Sequence, residues 1–427
     1  MMALLGSTSS WLGSAFVAAL GAQLVVRLWL AGRQIDAVRA HRDDVPEMFR
    51  GQISPEDQRR AADYTVARAR LGRIAAVYEA LLALALTLGG GLAAVDGWVA
   101  RTGLPAPWSD LALVAAVFLL LQAAGLPFAL WRTFGVEARF GFNRVTPRLF
   151  AADLAKELAL AALLGIPLLL ATLTLMQRAG RWWWAVAWLI WLGVTFALTW
   201  AAPRYVAPLF NRFSPLADDA LEKRVAGLLE RCGFALDGGV FVMDGSRRSA
   251  HGNAYFTGIG RHKRIVLFDT LLARVEPEEI EAVLAHELGH FRLKHIRHHL
   301  LLSAAGMGAG LALLAGLAGQ PGFYASLGVP RASNGAALVL FALLVPAFGY
   351  FVKPLRAWWL RRHEFEADDF AAAHADPAKL SAALVKLYRD NATALAPDPI
   401  HSAFYDSHPP APVRIARLNA LAAAHGR

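Results

Sequence analysis

A single cysteine, Cys232, occurs in 427 residues, so the chain can form no internal disulfide and offers no paired-thiol redox centre. Charge is sparse as well: charged residues make up 18% against 56% hydrophobic, and mean hydropathy is +0.39. That balance excludes a string of ordinary soluble domains and fits a polytopic membrane protein with a modest polar region. Acidic residues (33) are outnumbered by basic ones (43), a net charge of +10, and lysine is scarce beside arginine. There is no low-complexity tract and no repeat of about 20–50 residues, which excludes solenoids and repeat arrays. A basic leader is missing too. The first apolar segment runs on past residues 19–22 and reads as a retained span, not a cleaved signal.

Long apolar runs are what the chain does have. Seven are long enough to cross a hydrocarbon layer about 30 Å thick. They are Trp11–Ala31, Ile74–Val95, Leu111–Trp131, Leu158–Met176, Trp182–Ala202, Leu300–Gly319 and Ala336–Val352. The second contains Glu79 and is interrupted by Gly89, Gly90 and Gly91. Arginine then sets the orientation. The connection after the first span carries nine arginines between Arg33 and Arg73, and the one after the third carries Arg132, Arg139, Arg144, Arg148 and Lys156. Connections after the second, fourth and sixth hold only Arg101, then Arg178 and Arg181, then Arg331. The positive-inside rule therefore predicts an outside N-terminus, with Pro203–His299 and the tail from Lys353 both cytoplasmic. The basic excess is a topology signal, and no nucleic-acid partner is expected. Arg27, Glu79, Gln122 and Glu157, in or at the ends of spans, are costly against lipid and should face protein or water. Snorkelling is an equal explanation for Arg27 and Glu157.

The Pro203–His299 segment reads as a small α/β insert. Ala220–Arg231 is amphipathic, and residues 239–243, Ala254–Thr257 and Arg264–Phe268 are short strand candidates. After them comes A-H-E-L-G-H-F-R-L-K-H, residues 285–295. Pro277, Glu278 and Glu279 form an acidic first turn, and Ile280, Val283, Leu284 and Leu288 an apolar stripe, so the segment is predicted helical. On a helix His286 and His290 share one face, a turn apart, and two neutral imidazoles so placed can hold Zn²⁺. Glu287 is placed to take a proton from a water at the metal. A catalytic zinc usually has a third protein ligand. The position six after His290 is Ile296, so that ligand must come from elsewhere. Glu364 and Asp368 share a helix face in R-H-E-F-E-A-D-D after the last span, while Glu366 points away. Glu364 reads as the ligand and Asp368 as an acceptor orienting a ligating histidine. His295, His298 and His299 read as continuing the helix towards the membrane, hydrogen-bonded locally and not forming a second metal site.

H-E-L-G-H followed by E-F-x-A-D and then S-H-P-P resembles the integral-membrane zinc endopeptidases of the type I CAAX prenyl protease family. The resemblance extends over most of the chain: Val45–Arg70, Phe140–Asn143, Pro208–Asn211 with Pro215 and Leu216, and Ser249–Gly258 fall where that family has matching stretches. It implies one zinc per chain, held by His286, His290 and Glu364, with Glu287 as general base. It also implies that Asn253 and His408 contact the scissile peptide. Ala254, Tyr255 and Phe256 would then form a strand edge for an extended substrate, and His408 would donate to the oxyanion. Arg414 is a weaker candidate, facing either Asp368 or a substrate carboxylate. Two other readings stay open: a quality-control membrane protease with the same chemistry, and a metal transporter, which would place its histidines within the spans.

The expected fold is predominantly α: a seven-helix membrane protein with a small cytoplasmic α/β zinc-metalloprotease domain. The expected division is 1–202 (five spans and two basic loops), 203–299 (catalytic insert), 300–352 (two spans) and 353–427 (C-terminal catalytic segment). Expected partners are the lipid bilayer and a peptide or protein substrate, prenylated or not. The arginine- and alanine-rich composition and the absence of a terminal dilysine point to a bacterial inner membrane.

Overall fold

The computed structural model describes residues 2–234, 239–257 and 264–425. Gly258, the end of one of the stretches singled out above, lies outside them. Among the described residues, six helices are long and apolar enough to cross a membrane, or seven if one bent pair forms a single span. The chain begins with α1 (Met2–Ala40), α2 (Pro55–Leu86) and α3 (Gly91–Ala100). Helices α2 and α3 are the bent pair, meeting at 51°. The break runs from Thr87 to Gly90, and Gly90 takes φ 75°, a left-handed conformation that glycine adopts without penalty. Three further long helices follow, α4 (Trp108–Leu130), α5 (Pro147–Arg178) and α6 (Trp183–Ala201). Phe16, Leu92, Leu113, Leu314 and Leu340 lie in the core shared by the apolar helices. Arg27 and Glu79 find each other at 2.7 Å and line a cavity of 270 Å³, so each charge has a partner. Gln122 and Glu157 are exposed on the protein surface.

After the short α7 (Ala207–Phe210) the chain builds a polar unit. It comprises β1 (Phe213–Pro215), α8 (Asp219–Arg231), β2 (Val240–Met243), β3 (Ala254–Thr257), β4 (Arg264–Phe268), α9 (Asp269–Leu272) and α10 (Pro277–Arg292). The four strands form one sheet in the order β1-β2-β4-β3, with β2 parallel to β4 and the two outer pairings antiparallel. Strand β3 is thus an edge. Ile265 and Leu267 of β4, Leu221, Val225 and Leu228 of α8, and Ile280, Leu284 and Leu288 of α10 join in one core. Helix α10 starts where the sequence signals it: Pro277 occupies its first turn, and Glu276 and Glu279 close a reciprocal capping box.

The rest of the chain is helical: α11 (His295–Ala318), α12 (Pro321–Ala325), α13 (Asn334–Gly349), α14 (Lys353–His374), α15 (Pro377–Asp390), α16 (Pro399–Tyr405) and α17 (Ala411–His425). Most spans run several residues beyond the expected ends, and two of the differing boundaries bear on the site. Helix α10 does not continue into His295; Lys294 takes φ 61° and a new helix, α11, opens at His295. The last span does not end at Val352. A short 3₁₀ turn links α13 to α14, giving one apolar-to-polar rod from Asn334 to His374, 41 residues long. The segment bearing Glu364 is therefore continuous with a membrane helix.

Candidate metal centre

Helices α10 and α14 approach closely because Gly289 has no side chain. A Cβ there would lie 3.0 Å from Ala367 Cα and 3.1 Å from its carbonyl oxygen. Ala367 is itself fully buried, and the added methyl would meet backbone, not a flexible side-chain end. This contact carries Glu364 to the histidine face of α10. His286 Nε2 lies 3.2 Å from His290 Nε2 and 3.6 Å from Glu364 Oε2, and His290 Nε2 lies 3.3 Å from Glu364 Oε1. The three groups offer ligand atoms within 4.8 Å of one another. Tetrahedral ligands at about 2.0–2.1 Å from zinc would be about 3.3 Å apart, so the cluster needs little adjustment to hold an ion.

The polar groups around it fit a cation too. Glu364 Oε2 is buried and has no aligned hydrogen-bond partner among the described residues, a costly state that a bound cation would relieve. His286 Nδ1 lies 2.9 Å from Asp368 Oδ1 and 3.1 Å from Arg414 Nη2; if Nε2 is the atom that binds, the hydrogen belongs on Nδ1, where the carboxylate can accept it. Asp368, fully buried, also takes hydrogen bonds from Arg414 Nη2 at 2.7 Å and Nε at 2.8 Å. Burial works to lower the pKa of Arg414, but the hydrogen bonds and charge of Asp368 raise it above the ordinary value, so the guanidinium stays charged.

The remaining sequence candidates gather around this cluster to different degrees. Glu287 sits half-buried beside His286, and its carboxylate has no hydrogen bond or ion pair among the described residues. His408, on the loop between α16 and α17, is exposed and brings Nδ1 to 2.6 Å of Glu364 Oε2, without hydrogen-bond alignment. Asn253 precedes β3, and its side chain accepts from the Ala254 N–H at 2.9 Å. Asn253, His408 and Arg414 line one cavity of 550 Å³. Ala254 is buried and Phe256 packs on the core, while the Tyr255 ring meets Phe268. Their side chains are thus occupied. The Asn253 carbonyl accepts from Phe268 N–H at 3.0 Å, so by the alternation of an antiparallel pair the main chain of Ala254 and Phe256 faces the open edge. Of the two roles left open for Arg414, the pairing with Asp368 is the one seen, and at 4% exposure the guanidinium has little surface to offer. Glu366 points away from the cluster, towards His295.

Two features escaped the sequence reading. Gly289 matters only through a helix that arrives some eighty positions later in the chain. Tyr388 lines the same 550 Å³ cavity with a buried hydroxyl that has no hydrogen-bond partner among the described residues; one tyrosine in an amphipathic helix carries no signal of that. A second cavity of 940 Å³ runs between α6 and α11, walled by Trp184, Trp188, Phe196 and Leu300, with Lys294 and Arg297 at its margin.

Comparison with known proteins agrees with this architecture. A family profile described as CAAX prenyl protease N-terminal, five membrane helices, matches residues 34–212, and that of peptidase family M48 matches residues 215–422. A CAAX prenyl protease 1 homolog from Oryza sativa subsp. japonica is 35% identical over 73% of this chain and 72% of its own length. CAAX prenyl protease 1 of Saccharomyces cerevisiae is 32% identical over 73% and 72%. The crystal structure of S. mikatae Ste24p superposes with a TM-score of 0.87 at 27% identity, covering 95% of this chain and 99% of that one. The chain belongs to peptidase family M48, as a multi-pass membrane metalloendopeptidase of the CAAX prenyl protease 1 kind.

Proposed function

We propose that the metal is a single zinc held by His286, His290 and Glu364, and that the chain hydrolyses a peptide bond near the C-terminus of prenylated or other membrane-associated substrates. The observation that carries this reading is the convergence of two helices on one cluster, with ligand atoms from all three residues within 4.8 Å. When bound, the ion supplies Lewis acidity that polarises the scissile carbonyl and acidifies an attacking water. Glu287, next to the first ligand and without another partner, takes that water's proton and passes it to the leaving amine. His408 donates to the developing oxyanion, and Asn253 with the open main chain of β3 holds the peptide extended. Asp368, braced by Arg414, fixes the tautomer of His286. The arginine-rich connections put this unit on the cytoplasmic side. An apolar cavity beside the metal helix, at Phe291 and Lys294, suits the isoprenyl chain of a prenylated substrate. The source membrane is proposed to be a bacterial inner membrane.

The test is a pair of C-terminal peptides, one farnesylated and one not, with products mapped by mass spectrometry. Glu287→Gln should keep its zinc and lose at least ~10²-fold in turnover. Full activity in that variant refutes the assigned base. Equal cleavage of both peptides would favour a broader, quality-control substrate range.

A further inference from the structure

His290 has two ring nitrogens, and only Nε2 faces His286 and Glu364. Its Nδ1 lies 3.0 Å from Nδ1 of His295. The other nitrogen of His295, Nε2, lies 3.1 Å from Glu366 Oε2, and Glu366 Oε1 accepts from Arg362 Nε at 3.1 Å. His295 is 3% exposed, and its ring lies flat against that of His363, centroids 4.0 Å apart and planes 5° apart. His363 is gripped in turn by His299, at 3.2 Å, and by the ring of Trp359. A continuous helix would have carried His295 well round from His290. The reversal at Lys294, in a left-handed conformation unusual for a side chain of that kind, is what brings the two rings together.

The protons along this chain can be assigned from connectivity. If His290 binds through the lone pair of Nε2, its hydrogen must be on Nδ1, and that N–H needs an acceptor. His295 Nδ1 is the partner the structure supplies. The hydrogen of His295 then belongs on Nε2, where it faces a carboxylate. Each link has one donor and one acceptor. The reverse assignment would put a hydrogen on His290 Nε2, pointing into the ligand cluster.

Resting on the ligand set proposed above, we infer that His295 and Glu366 are positioning residues for the metal ligand His290. They form a carboxylate–imidazole–imidazole chain that does for His290 what Asp368 does directly for His286. The chain fixes the tautomer and ring orientation of His290 and raises its basicity. Helix α14 thus serves the centre three times, with Glu364 as ligand and with Glu366 and Asp368 behind one histidine each. Both supporting carboxylates are braced by an arginine, Arg362 and Arg414 respectively.

His295, His363 and Glu366 also bring ligand atoms within 4.8 Å of one another, which raises the alternative of a second cation. The stacking argues against it. Imidazole lone pairs lie in the ring plane, and two parallel planes some 4 Å apart share no point at which an ion could meet both. Both nitrogens of His295 are already engaged.

The experiment is zinc titration of the full-length protein in detergent against a competing chelator, together with kcat and KM on a cleaved peptide. Wild type should bind one zinc, lost in His290→Ala; retention in that variant would remove the ligand assignment and the inference with it. His295→Leu should weaken zinc roughly 10–100-fold and lower kcat with KM unchanged. His295→Asn, whose Oδ1 can take the accepting place of Nδ1, should recover most of the loss, which a purely packing role would not allow. Glu366→Ala should cost less than His295→Leu, since its side chain is 40% exposed and water can replace it, and Glu366→Gln less again. Wild-type zinc affinity and kcat in His295→Leu, or Asn doing no better than Leu, would overturn the inference. So would a second zinc equivalent in wild type that disappears in His363→Phe.

Discussion

Replacing Asp368 by asparagine keeps the shape of the site and removes one charge. Asp368 Oδ1 lies 2.9 Å from His286 Nδ1 and accepts from Arg414 Nη2, while Oδ2 accepts from Arg414 Nε. With the amide oxygen at the Oδ1 position, both Oδ1 contacts survive and the amide N–H₂ faces the Nε–H donor. Two consequences follow. The His286 tautomer keeps its acceptor but loses a negative charge behind the ligand, which should weaken zinc roughly 10-fold, about 1.4 kcal/mol, at the low end for such partners. The buried guanidinium loses its closest counter-charge. Breaking a buried pair commonly costs about 3–5 kcal/mol; Glu364 Oε2, 3.4 Å from Arg414 Nη1, remains as partial compensation, so about 3 kcal/mol is expected. Asp368→Ala should lose zinc further, towards 100-fold, because no acceptor is left. The assays are chelator competition for zinc and the thermal midpoint in detergent, with Asp369→Asn as control. Asp369 pairs with Arg417 at the surface, both about half exposed, and its loss should change stability by no more than about 1 kcal/mol. Asp368→Asn with wild-type zinc affinity and an unchanged midpoint would refute the reasoning.

Gly289→Ala should push α10 from α14, costing roughly 1–3 kcal/mol and weakening zinc, because the added methyl meets backbone; unchanged affinity and midpoint would show that the helices can part without cost. Asp398 starts α16 by accepting from His401 N–H at 2.8 Å and pairs with Arg33 at 2.8 Å. Burial alone would raise its pKa, but Arg33 and the capping N–H groups hold it below the ordinary value, so its contribution is complete above about pH 4 and fades as pH falls through the lower folded value. Asp398→Asn should therefore lower stability by about 1–2 kcal/mol at neutral pH, with the gap to wild type closing only below about pH 4; a gap that closes nearer neutrality would contradict this. Chelation should abolish cleavage, and added zinc should restore it; activity surviving a chelator that demonstrably strips the metal would remove the metal from the chemistry.

The helices were legible in the sequence because their signals are local. Twenty apolar residues in a row, an acidic first turn behind Pro277, and three adjacent glycines at 89–91 each act within a few residues. The start of α10, the interruption between α2 and α3 and three of the four strands were read from such local signals; the capping partner Glu276 and the short β1 (Phe213–Pro215) were not. His286 and His290 were equally local, a four-residue spacing on one helix. Glu364 could be proposed as their partner only from chemistry and the family resemblance, since no periodicity links positions so far apart. The break at Lys294 ran against the local pattern. Nothing in R-L-K-H forbids a continuing helix; Lys294 itself is exposed, and what its left-handed turn permits is the buried contact of His295 with His290 and His363.

By itself the sequence determined which segments are apolar, which are helical and which side chains can bind a metal, because these depend on composition and on spacings shorter than two turns. Tertiary structure alone decided that α14 comes close enough at Gly289 to deliver a carboxylate. It alone decided that Arg414 is buried against Asp368, and that His295 turns back onto His290. Those are contacts between residues separated along the chain or thrown out of helical register. Their energies depend on distances and on burial, and a linear pattern carries neither.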